Sequence, residues 1–324
     1  MELNKHLRRY LGNAPGFKGV FHRIDTARRE RDAAIAERDA ALARVFQTPF
    51  FVPPGHFYSP IVDPKKAAEY FREMASRPVP DALPGIALGR SDMRLLWQTL
   101  QPYLLSCPFT EQFKSGLRYY YENAAYSYGD ALVLHAMLRK YNPKRVVEIG
   151  SGWSSACMLD TVELFLNGHC NLTFIEPYPK LLESLIGTGG EHVKILAHDV
   201  QRTPLGVFEE LEQNDILFID STHVMSTGSD VCFELFEILP HLKSGVVVHF
   251  HDVFWPFEYP RYWVVEENRC WNELYGIRAF LTKNEQWTIL FFNDYFARFE
   301  METITETCPL FLKNPGGALW LRKN

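Results

Sequence analysis

The 324-residue sequence predicts an α/β protein built on an open, doubly wound sheet with an antiparallel pair of strands at its end. Two observations support this fold class. From residue 145 to residue 250, short β-branched segments alternate with segments of helical length, and parallel strands joined by crossover helices make such a sheet. After residue 281 the alternation stops, and two more strands follow with no clear helix between them. An antiparallel hairpin of two strands is therefore expected to close a parallel sheet of five.

The N-terminal tail, residues 1–47, contains a seven-residue repeat. Residues 30–36 and 37–43 match at every position except Ile35 and Leu42. Ala, Glu and Arg favour a helix, and the two aliphatic residues form a thin apolar stripe. The repeat therefore predicts a short heptad-like helix. It serves either as a homodimerisation or tethering helix or as a solvated, partly ordered tail, and both alternatives stay open.

Residues 48–127 are predicted to form a linker followed by a helical cap. Proline-rich sequence from Thr48 to Pro60 interrupts the helical pattern. Helical patterns then resume, because proline is favoured in the first turn of a helix and apolar residues recur at helical spacing. One predicted helix begins at Asp63–Pro64 and another spans residues 92–106; a third, residues 130–141, follows the cap.

The alternating region supplies most of the predicted strands and the helices that join them. The predicted strands span residues 145–150, 172–176, 193–197, 215–220, 245–250, 287–293 and 318–322. The predicted helices span residues 154–166, 179–186, 204–211, 230–239 and about 266–281.

Composition and charge exclude several function classes. The formal net charge of −5 gives no support for a nucleic-acid partner. None of the six cysteines is spaced as C-x-x-C, so neither a zinc knuckle nor a redox motif is predicted, and reduced thiols fit a cytoplasmic protein. No apolar run approaches the roughly 18 residues that span a bilayer, and the N-terminus lacks the apolar region of a secretory signal. We therefore expect no membrane span and a cytoplasmic location.

The strongest local motif lies in residues 146–155, where a β-branched strand ends in an E-x-G-x-G turn and a helix begins. Gly150 and Gly152 let the backbone approach a ligand closely, and the first amides of the helix are free to donate. The dinucleotide fingerprint needs a third glycine where this chain has Ser155. The turn therefore favours a ligand with a carboxylate and a sulfonium over a pyrophosphate.

These motifs resemble those of the class I SAM-dependent methyltransferases. Residues 123–155 and 215–260 are similar to a bacterial subgroup of the methyltransferase-24 type, and the likeness extends over about residues 118–323. The resemblance implies a Rossmann-like seven-stranded methyltransferase domain over residues 128–324 and S-adenosylmethionine as cofactor. The cofactor-binding residues that it implies are Glu148, Gly150, Ser151, Gly152, Ser154, Glu176 and Asp199.

Two of these acids have specific expected roles. Glu176 ends the second strand, where a carboxylate accepts hydrogen bonds from both ribose hydroxyls. The resemblance places Asp199, after the third strand, at the adenine amino group. Residues Tyr126, Tyr128 and Asp130 precede the first strand and are expected to cover the cofactor.

Histidines and aspartates follow the fourth and fifth predicted strands, in the sequences Asp-Ser-Thr-His and His-Phe-His-Asp. The carboxyl ends of parallel strands meet at one edge of the sheet, beside the ligand crevice. Alternation along the fifth strand places His249 and His251 on one face. We therefore expect Asp220, His223, His251 and Asp252 to converge where the methyl acceptor lies.

Two chemical roles fit this cluster, and both remain open beside a purely structural one. Asp220, His251 and Asp252 would hold a divalent cation, Mg²⁺ or Mn²⁺, that lowers the pKa of the acceptor hydroxyl. Alternatively, His223 or His251 is a metal-free general base oriented by Asp220 or Asp252. Catechol-type relatives carry Asp-Asn where this chain has His251–Asp252. In either case the expected catalytic residues are His223, His251 and Asp220.

The predicted function is O-methylation of a sugar or other hydroxylated small molecule, which includes glycans; N-methylation is a close variant. The aromatic segment 254–260 is either a lid or acceptor platform or a hydrophobic linker under the following helix. Two other function classes are weighed. A metal-dependent oxygenase would use His223, His251 and a carboxylate as iron ligands, and a scaffold protein would use the heptad helix without catalysis.

Overall fold

The computed structural model describes residues 50–186 and 192–324, together with Ala33, an exposed helical residue. The rest of the predicted heptad helix and of the tail, residues 1–47, lies outside the described residues. The chain divides into two compact units, residues 1–67 and residues 68–324. The second unit contains the whole sheet and the helices on which the candidate site depends.

The sheet has seven strands in the order β3-β2-β1-β4-β5-β7-β6. The strands are β1 (Arg145–Ile149), β2 (Asn171–Ile175), β3 (Val193–Leu196), β4 (Ile216–Ile219), β5 (Val247–Phe250), β6 (Trp287–Phe292) and β7 (Leu319–Lys323). Strands β1 to β5 pair in parallel, and β7 pairs antiparallel with both β5 and β6. The predicted fold class is therefore confirmed.

Within residues 50–186 and 192–324, three helices precede the sheet, and the other helices lie between its strands. The first three are α1 (Pro64–Ala75), α2 (Arg90–Leu105) and α3 (Tyr128–Tyr141). The crossover helices are α4 (Trp153–Phe165), α5 (Lys180–Ile186), α6 (Gly206–Glu209), α7 (Asp230–Phe233) and α8 (Leu239–His241). A π-helical segment, Glu234–Ile238, joins α7 to α8, and short 3₁₀ segments lie at Val200–Arg202 and Pro309–Lys313. The later helices are α9 (Glu273–Leu281), α10 (Asn293–Phe299) and α11 (Met301–Thr307), with a second π-helical segment at Tyr262–Glu266 before α9.

The predicted long helix over residues 266–281 is wrong in its first half. The backbone turns at Asn268, which has a positive φ of 52°, and α9 begins only at Glu273. The amides of Asn272 and Glu273 donate to the carbonyl of His223 at 3.0 and 3.2 Å. These two amides are therefore not available for the hydrogen bonds of a continuous helix. The segment before Glu273 forms a loop beside the strand-end residues instead.

The expectation of no helix between the last two strands is also wrong. Helices α10 and α11 fill this connection. Each has seven residues, about two turns, which is too short for apolar periodicity to stand out from the sequence. They are separated at Glu300, whose carboxylate binds Arg90 and Arg94 of α2 at 2.5 and 2.6 Å.

A buried aromatic cluster ties α2 to the carboxyl-terminal part of the sheet. The Trp97 side chain is fully buried, and its ring centroid lies 5.9 Å from Phe291, 5.1 Å from Phe296 and 5.3 Å from Phe311. Its indole N–H donates to the Thr307 hydroxyl at 2.9 Å. The helices before the sheet and the strands at its edge therefore share one hydrophobic core.

Among the helices of the described residues, none is both long enough and apolar enough to cross a membrane.

Candidate active site

A cavity of about 600 Å³ opens at the carboxyl ends of β1, β2 and β4. Crevices at this edge of an open α/β sheet are where ligands bind, and the volume is ordinary for a small-molecule site. Its polar lining comes from residues at or after the strand ends: Glu176, Asp199, Asp220, Ser221, Thr222 and Asp230.

Gly150 brings the end of β1 against the end of β4. Its φ is +76°, a conformation that costs other residues energy. A Cβ at this position would lie 1.8 Å from the carbonyl oxygen of Asp220. No side chain fits there, so the first glycine of the motif is required by backbone contact. Gly152 has no such constraint, because a Cβ there would meet only a Leu181 methyl group at 3.6 Å.

Glu176 lies directly after β2 and borders the cavity. Its carboxylate accepts the Ser151 amide at 3.1 Å and the Tyr178 amide at 2.7 Å. Each oxygen keeps a further lone pair for a ligand. The backbone amides therefore orient a carboxylate whose remaining acceptors are available to hydroxyl groups.

Glu148 and Ser154 lie behind the turn rather than on the cavity. The Glu148 side chain is fully buried, and its two oxygens accept the hydroxyls of Ser154 and Ser155. Burial raises the pKa of Glu148 to about 8, so this carboxyl carries a proton more readily than an exposed one. In the structure Glu148 and Ser154 anchor the start of α4, because the hydroxyls in the first turn of the helix donate back to the strand.

Asp199 also borders the cavity, after β3, where it precedes a short 3₁₀ turn. Its side chain is 53% exposed and pairs loosely with Arg202 at 3.5 Å, so it remains accessible to a ligand. On the opposite wall, the Asp230 carboxylate accepts the amide and the hydroxyl of Thr222 at 3.0 and 2.6 Å. Asp230 thereby orders the loop after β4.

The structure brings Asp220, His223, His251 and Asp252 together. Oδ1 of Asp220 lies 3.1 Å from Nδ1 of His251 and 3.5 Å from Nε2 of His223. Oδ2 of Asp252 lies 3.5 Å from Nε2 of His223, and its Oδ1 lies 3.7 Å from Nδ1 of His251. Both imidazoles are buried, whereas the Asp220 side chain is 27% exposed. Asp220, which lines the cavity, is therefore the link between the cluster and the cavity.

Glu273 completes the surroundings of His223 and was not predicted. It begins α9, and its Oε2 lies 2.8 Å from Nδ1 of His223. Although burial lowers the pKa of His223, Asp220 and Glu273 outweigh it and raise that pKa to about 10. The sequence pattern predicted a helix where the loop before Glu273 lies. Nothing in the sequence therefore indicated that Glu273 would reach His223.

Asp220 and His251 form the second half of the cluster. Although burial raises the pKa of Asp220, the two imidazoles outweigh it and hold that pKa well below its usual value. Burial lowers the pKa of His251, but Asp220 and Asp252 raise it well above the usual value. Negative charge on Asp220 and positive charge on both imidazoles therefore stabilise one another.

The segment expected to cover the cofactor lies elsewhere. Tyr126 and Asp130 are buried, and neither lines the cavity. Oδ2 of Asp130 lies 3.4 Å from Nε2 of His251, and the Tyr126 ring lies 5.3 Å from the same imidazole. Because α3 begins inside the core, these side chains support the histidine cluster from behind.

His249 shares a face with His251, as strand alternation predicts, but it takes no part in the cluster. Its ring is fully buried between Phe218 at 3.9 Å and Trp320 at 4.6 Å. Burial lowers its pKa well below the usual value, so the ring is neutral and acts as a core side chain.

The predicted metal site of Asp220, His251 and Asp252 has no counterpart among the described residues, where no group of three or more His, Cys, Asp or Glu side chains has the arrangement of a metal site. The imidazole nitrogens instead face carboxylate oxygens. A divalent cation at these residues stays a prediction.

Sequence comparison places this site in a known family. A family model described as a methyltransferase domain, of the methyltransferase-24 type, matches residues 147–253. An uncharacterised protein of Archaeoglobus fulgidus is 32% identical over 168 residues, which cover 51% of this chain and 75% of that protein.

Solved structures show lower similarity. An SAH-bound methyltransferase of Podospora anserina is 14% identical with a TM-score of 0.37, over 86% of this chain and all 100% of that one. An O-methyltransferase of Bacillus cereus in complex with SAH is 13% identical with a TM-score of 0.37, over 81% and 100%. The sequence matches, rather than these likenesses, carry the assignment. With its E-x-G-x-G turn and the 3-2-1-4-5-7-6 strand order, the chain belongs to the class I SAM-dependent methyltransferases, in the family of the methyltransferase-24 type.

Proposed function

We propose that the chain transfers a methyl group from S-adenosylmethionine to a hydroxyl group of a sugar or other hydroxylated small molecule. One observation carries this proposal. The cavity at the strand ends combines the close backbone approach at Gly150 with accessible carboxylates of Glu176 and Asp199. An adenosyl group presents two ribose hydroxyls and an adenine amino group. All of these are hydrogen-bond donors, and the two carboxylates are suited to accept from them.

The hydrogen bonds of the turn argue against a dinucleotide. The Ser151 amide donates to Glu176, and the Gly152 amide donates to the Ser155 hydroxyl at 3.0 Å. A pyrophosphate needs such amides as its donors, but both are already occupied within the protein. When bound, S-adenosylmethionine supplies an activated methyl group.

His223 is proposed as the proton acceptor for the acceptor hydroxyl. Its Nδ1 is held by Glu273, whereas its Nε2 lies 3.5 Å from both Asp220 and Asp252. The longer contacts make Nε2 the nitrogen that takes the proton when the ring is neutral, and the neutral ring becomes more populated as the pH rises towards the raised pKa of His223. Asp220 stabilises the resulting imidazolium, and Glu273 positions the ring.

Other predictions remain beside this proposal. Mg²⁺ or Mn²⁺ at Asp220, His251 and Asp252 is the alternative means of activating the hydroxyl, and N-methylation is the alternative chemistry. A small-molecule or glycan acceptor, the absence of a nucleic-acid partner, a cytoplasmic location and a homodimer formed through the N-terminal helix are proposals from the sequence.

The test is isothermal titration of S-adenosylhomocysteine into the full chain, once with chelator and once with magnesium. The variant Glu176→Gln keeps one side-chain oxygen, which can still accept a hydrogen bond from a backbone amide of the turn. It replaces the other oxygen and the negative charge with an NH2 group, which cannot accept a hydrogen bond from ribose. The matched control is Glu209→Gln, an exposed carboxylate of α6 that does not line the cavity. We expect Glu176→Gln to weaken binding about tenfold or more, which is about 1.4 kcal/mol, and Glu209→Gln to leave it unchanged.

Failure of S-adenosylhomocysteine to bind in either buffer would refute the proposal. The iron content of the purified protein would then separate the oxygenase class from the scaffold class. Binding in magnesium but not in chelator would instead support the divalent cation at the strand-end cluster.

A further inference from the structure

A second cavity of about 650 Å³ lies outside the cofactor cavity. Its floor is the aromatic segment after β5, in which Trp255, Phe257 and Tyr259 are buried. One wall comes from α1 and the segment that follows it, and the other comes from α9 and α10. We call this cavity the aromatic groove.

The aromatic groove carries excess positive charge, although the whole chain is acidic. Four arginines line it: Arg77, Arg261, Arg278 and Arg298. Arg261 pairs with Glu266 and Arg298 pairs with Asp294. For Arg77 and Arg278, no carboxylate lies within ion-pair distance among residues 50–186 and 192–324.

The unpaired arginines surround a polar centre. Both hydroxyls of Tyr70 and Tyr275 donate to the Glu258 carboxylate, at 3.1 and 2.6 Å. Burial and Glu258 raise the pKa of Tyr70, and Arg278 and Arg77, which line the same groove, oppose this effect. Glu258 thus holds two tyrosine rings in place in the same groove as Arg77 and Arg278, with which it makes no ion pair.

An aromatic path links the groove to the strand-end cluster. Phe254 lines the groove, and its ring lies 5.2 Å from Trp263, which lies 5.4 Å from Trp271. Trp271 in turn lies 4.5 Å from the His223 ring. Trp263 and Trp271 are both half-buried, so part of each residue stays accessible to solvent.

Arg269, which pairs with Glu267 at 2.5 Å, adds a third arginine on this path. Its guanidinium lies 4.4 Å above the Trp263 ring and 4.6 Å above the Trp271 ring. Aromatic faces bind the C–H faces of sugar rings by apolar contact, and arginines recognise carboxylate and phosphate groups with paired hydrogen bonds. Rings with interspersed arginines therefore fit a carbohydrate that bears negative charge.

We propose that the aromatic groove binds the distal part of an elongated, anionic carbohydrate whose reacting hydroxyl lies at His223, with Trp263 and Trp271 between the two. This proposal rests on the proposed methyl transfer, because it identifies the bound carbohydrate as the methyl acceptor. It assigns Arg77 and Arg278 as specificity residues that touch carboxylate or phosphate groups far from the reacting atoms.

The test is titration of the full chain with three probes: tetragalacturonate, glucose 1-phosphate and the neutral maltotetraose. The variant Arg77→Gln/Arg278→Gln removes the two unpaired charges. The control Arg72→Gln/Lys243→Gln removes two exposed charges that do not line the groove, so the change in net charge is matched. We expect an anionic probe to bind and the groove variant to weaken it about tenfold or more, with less than a twofold effect of the control.

Three outcomes would overturn the proposal: no binding of either anionic probe, equal binding of maltotetraose, or equal weakening by both double variants. Tetragalacturonate and glucose 1-phosphate distinguish a carboxylated from a phosphorylated carbohydrate. Titration of S-adenosylhomocysteine in the same samples separates the two proposals. If it binds and the anionic probes do not, only the groove proposal fails; if the probes bind and it does not, the methyl-transfer proposal fails.

Discussion

The imidazole of His223 is buried among carboxylates, and its protonation sets the net charge of the cluster. A pKa raised to about 10 means that the ring is protonated at neutral pH and gains proton-accepting capacity as the pH rises. The same shift is linked to stability. The ordinary pKa is about 6.5, so the stabilisation is complete below about pH 6.5 and is lost as the pH rises through about 10.

The first prediction concerns Glu273→Gln. Removing this charge should lower the pKa of His223 by about one unit or more, because the carboxylate 2.8 Å from Nδ1 stabilises the protonated ring. Nitrogen-15 NMR of the histidine rings across a pH titration measures this shift. The stabilisation by His223 should then be lost at a lower pH than in the parent chain.

His135 is the internal reference for this experiment. Burial lowers its pKa to about 3, so its ring should stay neutral in both proteins throughout the titration. An unchanged His223 pKa in Glu273→Gln would show that the carboxylates at Nε2, Asp220 and Asp252, set the charge of the ring without Glu273.

The sequence predicted part of the site because strand order determines it. Asp220, His223, His251 and Asp252 follow two neighbouring parallel strands, so their convergence follows from the topology. Glu273 reaches the cluster from a helix start 50 residues away from His223. That approach depends on an irregular loop, which no periodic pattern indicates.

The turn between β1 and α4 is the element on which the cofactor cavity depends. The second prediction is that Gly150→Ala destabilises the chain by at least about 2 kcal/mol, because it combines a left-handed φ with a backbone clash. A Cβ placed 1.8 Å from the Asp220 carbonyl must push β1 and β4 apart at the cavity. Denaturant unfolding measures the loss of stability, and titration of S-adenosylhomocysteine should show weakened binding.

Gly152→Ala is the matched control for stability. Its Cβ would meet only a flexible methyl group, so the free energy of unfolding should change by less than about 1 kcal/mol. Equal destabilisation by both substitutions would mean that the turn as a whole, and not the contact at Gly150, limits stability.

At the scale of elements, the strands were more predictable than the connections. Each of the seven predicted strands lies within two residues of its observed bounds. Buried parallel strands are recognisable in a sequence because they form short, nearly continuous runs of β-branched residues. The helices α10 and α11 were missed, and the start of α9 was misplaced. Short helices that end at tertiary contacts, such as Glu300 with its two arginines, have no periodicity of their own to reveal them.

At the scale of the whole molecule, Trp97 joins the helices before the sheet to the last strands. The third prediction is that Trp97→Ala destabilises the protein by about 3–5 kcal/mol, because it empties the centre of a cluster formed by three phenylalanines. Urea unfolding followed by far-UV circular dichroism and by tryptophan fluorescence measures this change. Both signals should shift together, since residues 68–324 form one compact unit.

Leu95→Ala on the same helix is the control, because that side chain is 61% exposed and its loss should cost at most about 0.5 kcal/mol. If Trp97→Ala shifted only one of the two signals, the helical segment before the sheet would unfold separately from the sheet.

The position of β7 between β5 and β6 also has a consequence for biosynthesis. Because β7 is the last strand to leave the ribosome, the hydrogen-bonding edge of β5 stays unpaired until residues 319–323 have emerged. That edge has the sequence Val-Val-His-Phe, an apolar segment suited to pairing with another chain. A chain that has emerged only as far as β5 therefore exposes an unpaired apolar strand edge, at which it could pair with another chain.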